Sequence, residues 1–517
     1  MLKNLLTVGG WTMISRVLGL VRDQLLAAFL GASPLQDAYQ VAFRLPNMFR
    51  NLFGEGAFNA AFVPMFTTIL TQKDKPTAQR FANEAFSILI TILFIITILG
   101  EIFMPQLLHI IAPGFLNHGN RYAEAVIFSR ITFPYMILIC AAALVAGVLN
   151  SLHQFGIAAA AYVSFNVVGI AALLWLTPFM PNAAWAASWG ITISGVVQFG
   201  ILWFAAVRSG IFITLHRPKF TVDIRNLFRK MAPGILGSGI TQINLTIDTI
   251  IATLLPTGSV SLMYFADRIN QLPLGVLGAA AGTTMLPLLT KNIASGDIQA
   301  AYATQNRAME YTMLFTIPAA FGIFTLAPPI LSTLFGHGAF TAKDVYMSAQ
   351  SLHAFAIGLP AFVMVKVLMP GFFARGDTTT PVKIGMTTLT LNLILNLILM
   401  KPLAHMGPPL ASSLAAMMNV IISGTILCRR QALYLPKILI LRLGGMIISS
   451  IIMSLCIYSV EIFCFPDIPL QNVLFRILAI SVLIILGFFI YGFSLHLLGI
   501  IKIQQFLGKL QKRFNRK

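Results

Sequence analysis

Long apolar stretches recur along the whole chain, and each has about 20 residues or more, the length that a helix needs to cross the hydrocarbon core of a bilayer. The stretches are continuous and rich in Leu, Ile and Ala, without the alternating pattern of a membrane β-strand. We therefore predict transmembrane α-helices. The fourteen predicted spans lie near residues 5–30, 36–56, 80–104, 121–149, 157–178, 184–207, 232–255, 260–288, 308–334, 346–373, 380–400, 407–428, 439–463 and 475–500.

The chain matches itself at a nearly constant offset of 223–226 residues, which indicates an internal duplication. The matching pairs are Asp23 and Asp248, Arg44 and Arg268, Pro64 and Pro287, Pro105 and Pro328, Pro134 and Pro360, and Asn166 and Asn392. Chance alignment of common prolines and asparagines is the alternative explanation. We predict an all-α integral membrane protein with two six-helix repeat lobes, residues 1–215 and 216–435, followed by two additional helices and a basic tail in residues 436–517. Since each lobe has an even number of spans, both enter the membrane in the same orientation.

The composition excludes a soluble enzyme, because 57% of the residues are hydrophobic and only 10% are charged; soluble domains carry about 25% charged residues. The net charge of +19 suits a nucleic acid, an anionic membrane surface or an anionic substrate. Of the 35 Lys and Arg residues, 24 fall in loops on the N-terminal side of the predicted topology. Only Arg121, Lys343, Lys401 and Arg476 fall in loops on the opposite side.

This charge bias predicts that both termini are cytoplasmic, and it makes a nucleic-acid partner unnecessary. The basic tail, Lys502 to Lys517, is expected to contact membrane lipids. No cofactor is expected, because the four cysteines stand singly without metal-binding spacing. The chain also lacks a GxxxxGKS or GxxxxGKT phosphate-binding motif, so ATP is not the expected energy source.

Seven basic residues fall inside the predicted spans, where each costs roughly 2.5–3.5 kcal/mol at a helix centre. They are Arg16, Arg22, Arg44, Arg50, Arg130, Arg268 and Lys366. Polar residues recur every three or four positions in the first two spans, so they follow one face of each helix. The two polar faces consist of Thr12, Ser15, Arg16, Gly19 and Asp23, and of Asp37, Gln40, Arg44, Asn47, Asn51 and Glu55. Lipid does not tolerate such faces, and we predict a water-filled cavity between the two helices.

Buried salt bridges are the structural alternative, with Arg22 and Asp23 as an obvious pair. They cannot neutralise the whole set, because the first two spans hold four arginines and three acids. The acid next to Arg268 is Asp267, which projects about 100° away on a helix. An excess of guanidinium groups at membrane depth favours an anionic ligand, and the planar fork of Arg suits phosphate oxygens. A lipid headgroup that contains pyrophosphate fits this pattern.

A second group of polar residues is a candidate cation site. Asp248 lies in an otherwise apolar span, and Asn392 and Asn396 lie one turn apart on another. Their oxygen atoms could bind Na⁺, or Asp248 could carry H⁺. The alternative is an interhelical hydrogen bond, which is common in membrane helix bundles.

Four segments carry a resemblance to a known family. They are SRVLGLVRDQLLAAFLGA from Ser15, DAYQVAFRLPNMFRNLFGEGAFNAAFVP from Asp37, YFADRINQLPLGVLG from Tyr264 and ARGDTTTPVKIG from Ala374. They closely resemble the MurJ (MviN) lipid II flippases of the multidrug/oligosaccharidyl-lipid/polysaccharide exporter superfamily, and the resemblance covers essentially the whole chain.

This resemblance implies a V-shaped pair of lobes in the bacterial inner membrane. It also implies that the protein moves lipid II, the undecaprenyl-pyrophosphate-linked peptidoglycan precursor, from the cytoplasmic to the periplasmic leaflet by alternating access. A functional monomer is expected, with a groove for the polyprenyl tail on the last two spans. By motif, the substrate-binding residues are Arg16, Arg22, Arg50, Arg268, Asp37 and Glu55, to which we add Asp23 and Arg44.

Three other functions compete with this one. Two are transport functions, a flippase for another polyprenyl-linked saccharide and a multidrug exporter of the same superfamily. An exporter of cations should line its cavity with acids and aromatic residues, whereas the excess here is arginine. The third is an integral-membrane glycosyltransferase, which would present carboxylates on a large external loop. The predicted external loops are short, so an enzyme is not expected.

Overall fold

The computed structural model describes residues 2–51, 57–117, 119–465, 468 and 471–500, and these contain helices and turns but no strand. The helices are α1 (Leu2–Leu30), α2 (Pro34–Phe49), α3 (Ala57–Gln72), α4 (Lys75–Ile102), α5 (Met104–Ile111), α6 (Gly119–Thr132), α7 (Tyr135–Ser151), α8 (Phe155–Ala171), α9 (Ala183–Arg208), α10 (Val222–Thr253), α11 (Ser259–Ala294), α12 (Ile298–Thr325), α13 (Ala327–Phe335), α14 (Ala342–Phe373), α15 (Thr379–Leu403), α16 (Gly407–Arg429), α17 (Lys437–Cys464) and α18 (Val473–Leu497). The predicted all-α membrane fold is confirmed.

Within the described part of the chain, eight helical stretches are long and apolar enough to cross a membrane. A ninth is formed by α12 and α13 together, which bend by 76° at their junction. These stretches cover ten of the fourteen predicted spans, because α15 and α16 are counted as one. The other four predicted spans correspond to α1, α2, α10 and α11, of which α2 has only 16 residues. The count of fourteen therefore stays a prediction.

The second predicted span differs most from the structure. The α2 helix ends at Phe49, and α3 is a helix of 16 residues that continues well beyond residue 56, where the predicted span ended. Pro46 and Pro64 lie inside the two helices, and each removes a backbone donor. The apolar residues of α3 bury against α7 and α10, and this packing is what hydropathy alone did not reveal.

Polar residues cap several helices where the chain leaves the apolar stretches. Asp74, for example, accepts a hydrogen bond from the Thr77 N–H at 2.9 Å at the start of α4. Hydrogen bonding by the Thr77 side chain, and then by its backbone, lowers the pKa of the Asp74 carboxyl. Equivalent side-chain caps are made by Ser33, Asn182, Thr341 and Asn472. These caps satisfy backbone donors that have no partner within their helix.

The chain forms two compact units. The first contains Met1–Ser261 and His337–Phe340, and the second contains Leu262–Gly336 and Thr341–Lys517. Within the first unit α10 packs against α3, and the predicted lobes, residues 1–215 and 216–435, stay a prediction. The last two helices lie in the second unit, where α17 packs against α12.

The first unit is built around α7. Nearly every residue of this helix is buried, and its alanines allow α3, α4 and α9 to approach closely. The second unit is built around α14, which packs against α12 and α16. Gly358 of α14 lets α16 approach, because an added Cβ would lie 2.3 Å from Ser413 Oγ. Pro134 directly precedes α7, and Pro360 lies inside α14. These two prolines match at the repeat offset.

Candidate functional site

Arg22 and Asp23 form a buried ion pair on α1. Arg22 Nη2 lies 2.9 Å from Asp23 Oδ1, Arg22 is only 7% exposed and Asp23 is fully buried. The Arg22 guanidinium lies over the ring of Phe165 on α8, 5.0 Å from its centroid. Gly169 lets the Arg22 side chain pass, because an added Cβ would lie 3.0 Å from Arg22 Cδ. The salt bridge between Arg22 and Asp23, which the sequence analysis gave as the structural alternative, is therefore present.

Arg50 lies directly after α2, near the same aromatic residues. Its Nε donates to Asn47 Oδ1 at 3.0 Å, one turn earlier. The Tyr135 ring packs against Phe165, with the ring centroids 5.8 Å apart. The Arg22 guanidinium thus lies on a buried aromatic surface, where the low local dielectric strengthens its attraction for an anion.

Asn166 fixes the position of α1, which packs mainly against α8. Asn166 Nδ2 donates to the Ser15 carbonyl at 2.9 Å and to Ser15 Oγ at 3.3 Å. Gly19 lies against Asn166, and a Cβ added at Gly19 would lie 3.6 Å from the side-chain amide of Asn166. This contact sets the rotation of α1, which buries Arg22 and leaves Arg16 exposed. The role of Asn166 was not foreseen, although its match with Asn392 in the repeat was a usable signal.

Asp37, in the first turn of α2, is fully buried and accepts hydrogen bonds from three residues. Its Oδ2 accepts from the Gly258 N–H at 2.7 Å and from the Arg121 guanidinium. Its Oδ1 accepts from the Ser261 N–H at 2.8 Å and from Ser261 Oγ at 2.5 Å. Gly258 and Ser261 belong to the start of α11, so Asp37 caps that helix from another part of the chain.

These contacts correct two expectations. Arg121, which the predicted topology assigns to a loop, lies in the first turn of α6 and is buried. Asp37 does not line an open polar face in this structure, because its oxygens already accept the donors described above. Its contribution to substrate binding stays a prediction, and its observed role is to position α11. Ser261 is the repeat counterpart of Asp37, at offset 224, and this relation is the sequence signal that could have identified the pair.

Arg268 lies on α11 and is half-buried. Its Nη2 donates to the Tyr264 hydroxyl at 2.7 Å, and its guanidinium lies 5.1 Å from the centroid of the Tyr264 ring. The neighbouring Asp267 accepts from Gln271 Nε2 at 3.2 Å. Tyr264 thus supports the guanidinium from one turn earlier on the same helix. The remaining predicted substrate residues are Arg44, which is half-buried on α2, and Glu55, which lies outside the described residues.

The candidate cation residues lie on two helices of different units. Asp248 is half-buried on α10 in the first unit, whereas Asn392 and Asn396 are buried on α15 in the second. Asn396 Nδ2 donates to the Asn392 carbonyl at 3.0 Å. Among the described residues, no group of three His, Cys, Asp or Glu side chains comes together. The assignment of these residues to a coupling ion stays a prediction.

Comparison with known proteins gives concordant results. The family model described as lipid II flippase MurJ matches residues 26–478. A probable lipid II flippase MurJ from Rhizobium meliloti (strain 1021) is 39% identical over 471 residues, which cover 90% of this chain and 88% of that protein. A probable lipid II flippase MurJ from Rhizobium tropici is 38% identical over 458 residues, which cover 88% of this chain and 86% of that protein.

Solved structures show the same fold. A lipid II flippase MurJ in an inward closed conformation matches with a TM-score of 0.79 at 24% identity, covering 95% of this chain and 99% of that chain. An inward-facing multidrug resistance MATE family transporter of the MOP superfamily matches with a TM-score of 0.70 at 14% identity, covering 81% of this chain and 94% of that chain. At these identities the structural matches establish the fold alone, and the sequence matches carry the family assignment.

Proposed function

Because the chain belongs to the lipid II flippase MurJ family, we infer that it flips lipid II across the bacterial inner membrane. It is a multi-pass transporter and not an enzyme. The direction, from the cytoplasmic to the periplasmic leaflet, and the alternating-access mechanism belong to this proposal.

The observation that carries the proposal at the level of residues is the buried Arg22 guanidinium, which lies over the ring of Phe165, and this ring packs against Tyr135. Asp23 fixes the Arg22 side chain through their ion pair. We propose that Arg16, Arg22, Arg44 and Arg50 of the first unit bind the pyrophosphate, whose oxygens match the planar Arg donors.

We propose the same role for Arg268 in the second unit, oriented by Tyr264. Asp37 supports this role indirectly, because it caps α11, the helix that carries Arg268. Glu55 is proposed to complete the acidic positions of the site.

We further propose that both termini are cytoplasmic and that the protein works as a monomer coupled to Na⁺ or H⁺. Basic residues between α9 and α10 support this topology, since cytoplasmic loops are enriched in Lys and Arg. A cysteine placed at exposed Arg217 should react with an impermeant reagent only after cell lysis. Asp248→Asn should weaken the dependence of transport on one ion gradient without weakening substrate binding; unchanged dependence on both gradients would exclude Asp248 from coupling.

The central test is reconstitution of the purified protein in liposomes with defined lipid II, where leaflet exposure is measured over time with and without Na⁺ and pH gradients. We expect lipid II to move in liposomes that contain the wild-type protein. We expect Arg22→Lys to lose at least about ten-fold in rate, because one charge-assisted hydrogen bond contributes about 1.5–3 kcal/mol.

Arg80→Lys is the matched control, since Arg80 is an exposed arginine of the same unit. Equal losses for the two variants would contradict the proposed role of Arg22. Failure of the wild-type protein to move lipid II under every gradient would refute the proposed function.

A further inference from the structure

A cavity of about 140 Å³ lies in the first unit, between α3, α4 and the first turns of α10. Its wall consists of buried apolar side chains, including Phe58, Ala85 and Leu227. Ile92 and Phe228 also line it, and they are 37% and 36% exposed, so the cavity opens between them. A cavity with such a lining excludes water and accepts small apolar groups. Since α4 is one of the apolar spans, hydrocarbon is available at this opening.

Basic residues lie next to the cavity on the same helix. In the first turns of α10, Ile224, Leu227 and Met231 are buried in the cavity wall. Arg225 and Arg229 alternate with them and are exposed. The helix therefore presents an apolar wall to the cavity and guanidinium groups on its exposed face. Guanidinium groups in this position suit the phosphate of a lipid headgroup.

The segment before α10 extends this surface. It is held against α4 by the bond from the Thr214 N–H to Asn83 Oδ1 at 3.0 Å and by the bond from the His216 N–H to Ser87 Oγ at 2.9 Å. Residues 211–222 expose large apolar side chains and two basic ones, Arg217 and Lys219. The exposed apolar residues are Phe212, Leu215, Phe220 and Val222. Over residues 217–230 the chain carries five basic residues and one acid, which gives this surface a strong positive charge.

We propose that this cavity binds one acyl chain of an anionic phospholipid whose phosphate lies on Arg225 and Arg229. The apolar lining fits the chain, and the positive charge beside the opening fits the headgroup. This lipid site is distinct from the proposed site for the pyrophosphate of the substrate. The arginines of that site lie on α1, on α2, directly after α2 and on α11. The bound chain fills space between α3, α4 and α10 and so stabilises their packing.

The test titrates delipidated full-length protein in detergent with phosphatidylglycerol or with phosphatidylcholine of identical acyl chains, and follows thermal unfolding. We expect phosphatidylglycerol to raise the unfolding temperature at lower concentration than phosphatidylcholine. Arg225→Gln with Arg229→Gln should weaken the apparent affinity for phosphatidylglycerol about 25-fold, at about five-fold for each arginine. The matched control is Lys291→Gln with Lys437→Gln, which removes two exposed charges of the second unit and should leave the affinity unchanged.

Two cavity variants test the acyl chain. Ala85→Leu fills the cavity from its wall, and Ile92→Trp narrows the opening from an exposed position, so the second stays informative if the first misfolds. Both should lower the affinity for phosphatidylglycerol, and a diazirine in its acyl chain should crosslink to α4 or α10. Three results would overturn the proposal: equal stabilisation by the two lipids, an equal loss in the lysine control, or unchanged affinity in Ile92→Trp. Crosslinking displaced by lipid II and not by phosphatidylglycerol would assign the cavity to the substrate instead.

Discussion

Replacing Asp37 with asparagine tests how the start of α11 is held. The carboxylate Oδ2 accepts from the Gly258 N–H at 2.7 Å and from Arg121, while Oδ1 accepts from Ser261. Asparagine keeps one oxygen and replaces the other with an NH₂ group. In either orientation the NH₂ group faces donors instead of acceptors, and Arg121 loses its negative partner.

The magnitude follows from the burial of both charges. Asp37 is fully buried and Arg121 is 4% exposed, and breaking such a pair from one side costs about 3–5 kcal/mol. Arg121→Gln should cost a similar amount, since it leaves the Asp37 charge buried. The double variant should cost less than the sum of the two, because it leaves neither charge behind. We expect a coupling energy of about 1–3 kcal/mol.

Equilibrium unfolding in mixed micelles with increasing SDS, followed by circular dichroism, measures these values. Asp344→Asn is the matched control, because Asp344 also lies in the first turn of a helix and accepts from Thr341 at 2.9 Å, but at an exposed site. Its cost should stay below about 1 kcal/mol. Additive effects of Asp37→Asn and Arg121→Gln, within about 0.5 kcal/mol, would refute the buried pair as the source of stability.

Three further predictions follow from single contacts. Arg268→Lys should insert normally but lose at least about ten-fold in lipid II flipping, because Lys offers a point charge in place of a planar fork; near wild-type flipping would remove this arginine from the site. Hydrogen bonds from Thr380 lower the pKa of Asp377 to about 2. The stability that Asp377 contributes should therefore be present above about pH 4 and be lost as the pH falls towards 2, and Asp377→Asn should flatten this part of the profile of unfolding temperature against pH. Gly358→Ala should destabilise the second unit, since its Cβ would lie 2.3 Å from the neighbouring helix, whereas Gly322→Ala, with no atom within 4 Å, should stabilise it by about 0.5–1 kcal/mol in the same unfolding assay.

The arginine-rich helices show how far local sequence information reaches. The polar faces predicted in the first two spans contain Arg16, Asp23 and Arg44, and Arg22 and Arg50 were identified as basic residues inside the same spans, where lipid would not tolerate them. The structure placed Arg22 and Asp23 in one ion pair, which adjacency had suggested. The aromatic surface of Tyr135 and Phe165 was not predicted, because aromatic residues in apolar spans are too common to stand out.

The sequence by itself determined the all-α membrane fold, the excess of arginine at membrane depth and the family. Each of these rests on properties that add up residue by residue, such as the transfer free energy of side chains into lipid or the identity of a motif. Only the tertiary structure decided that Asp37 pairs with Arg121, 84 residues away, and caps α11 at Ser261, 224 residues away. It also decided that α3 packs against α7 and α10. Such choices depend on which buried donors and apolar faces meet in space, and hydropathy along the chain contains no record of those distances.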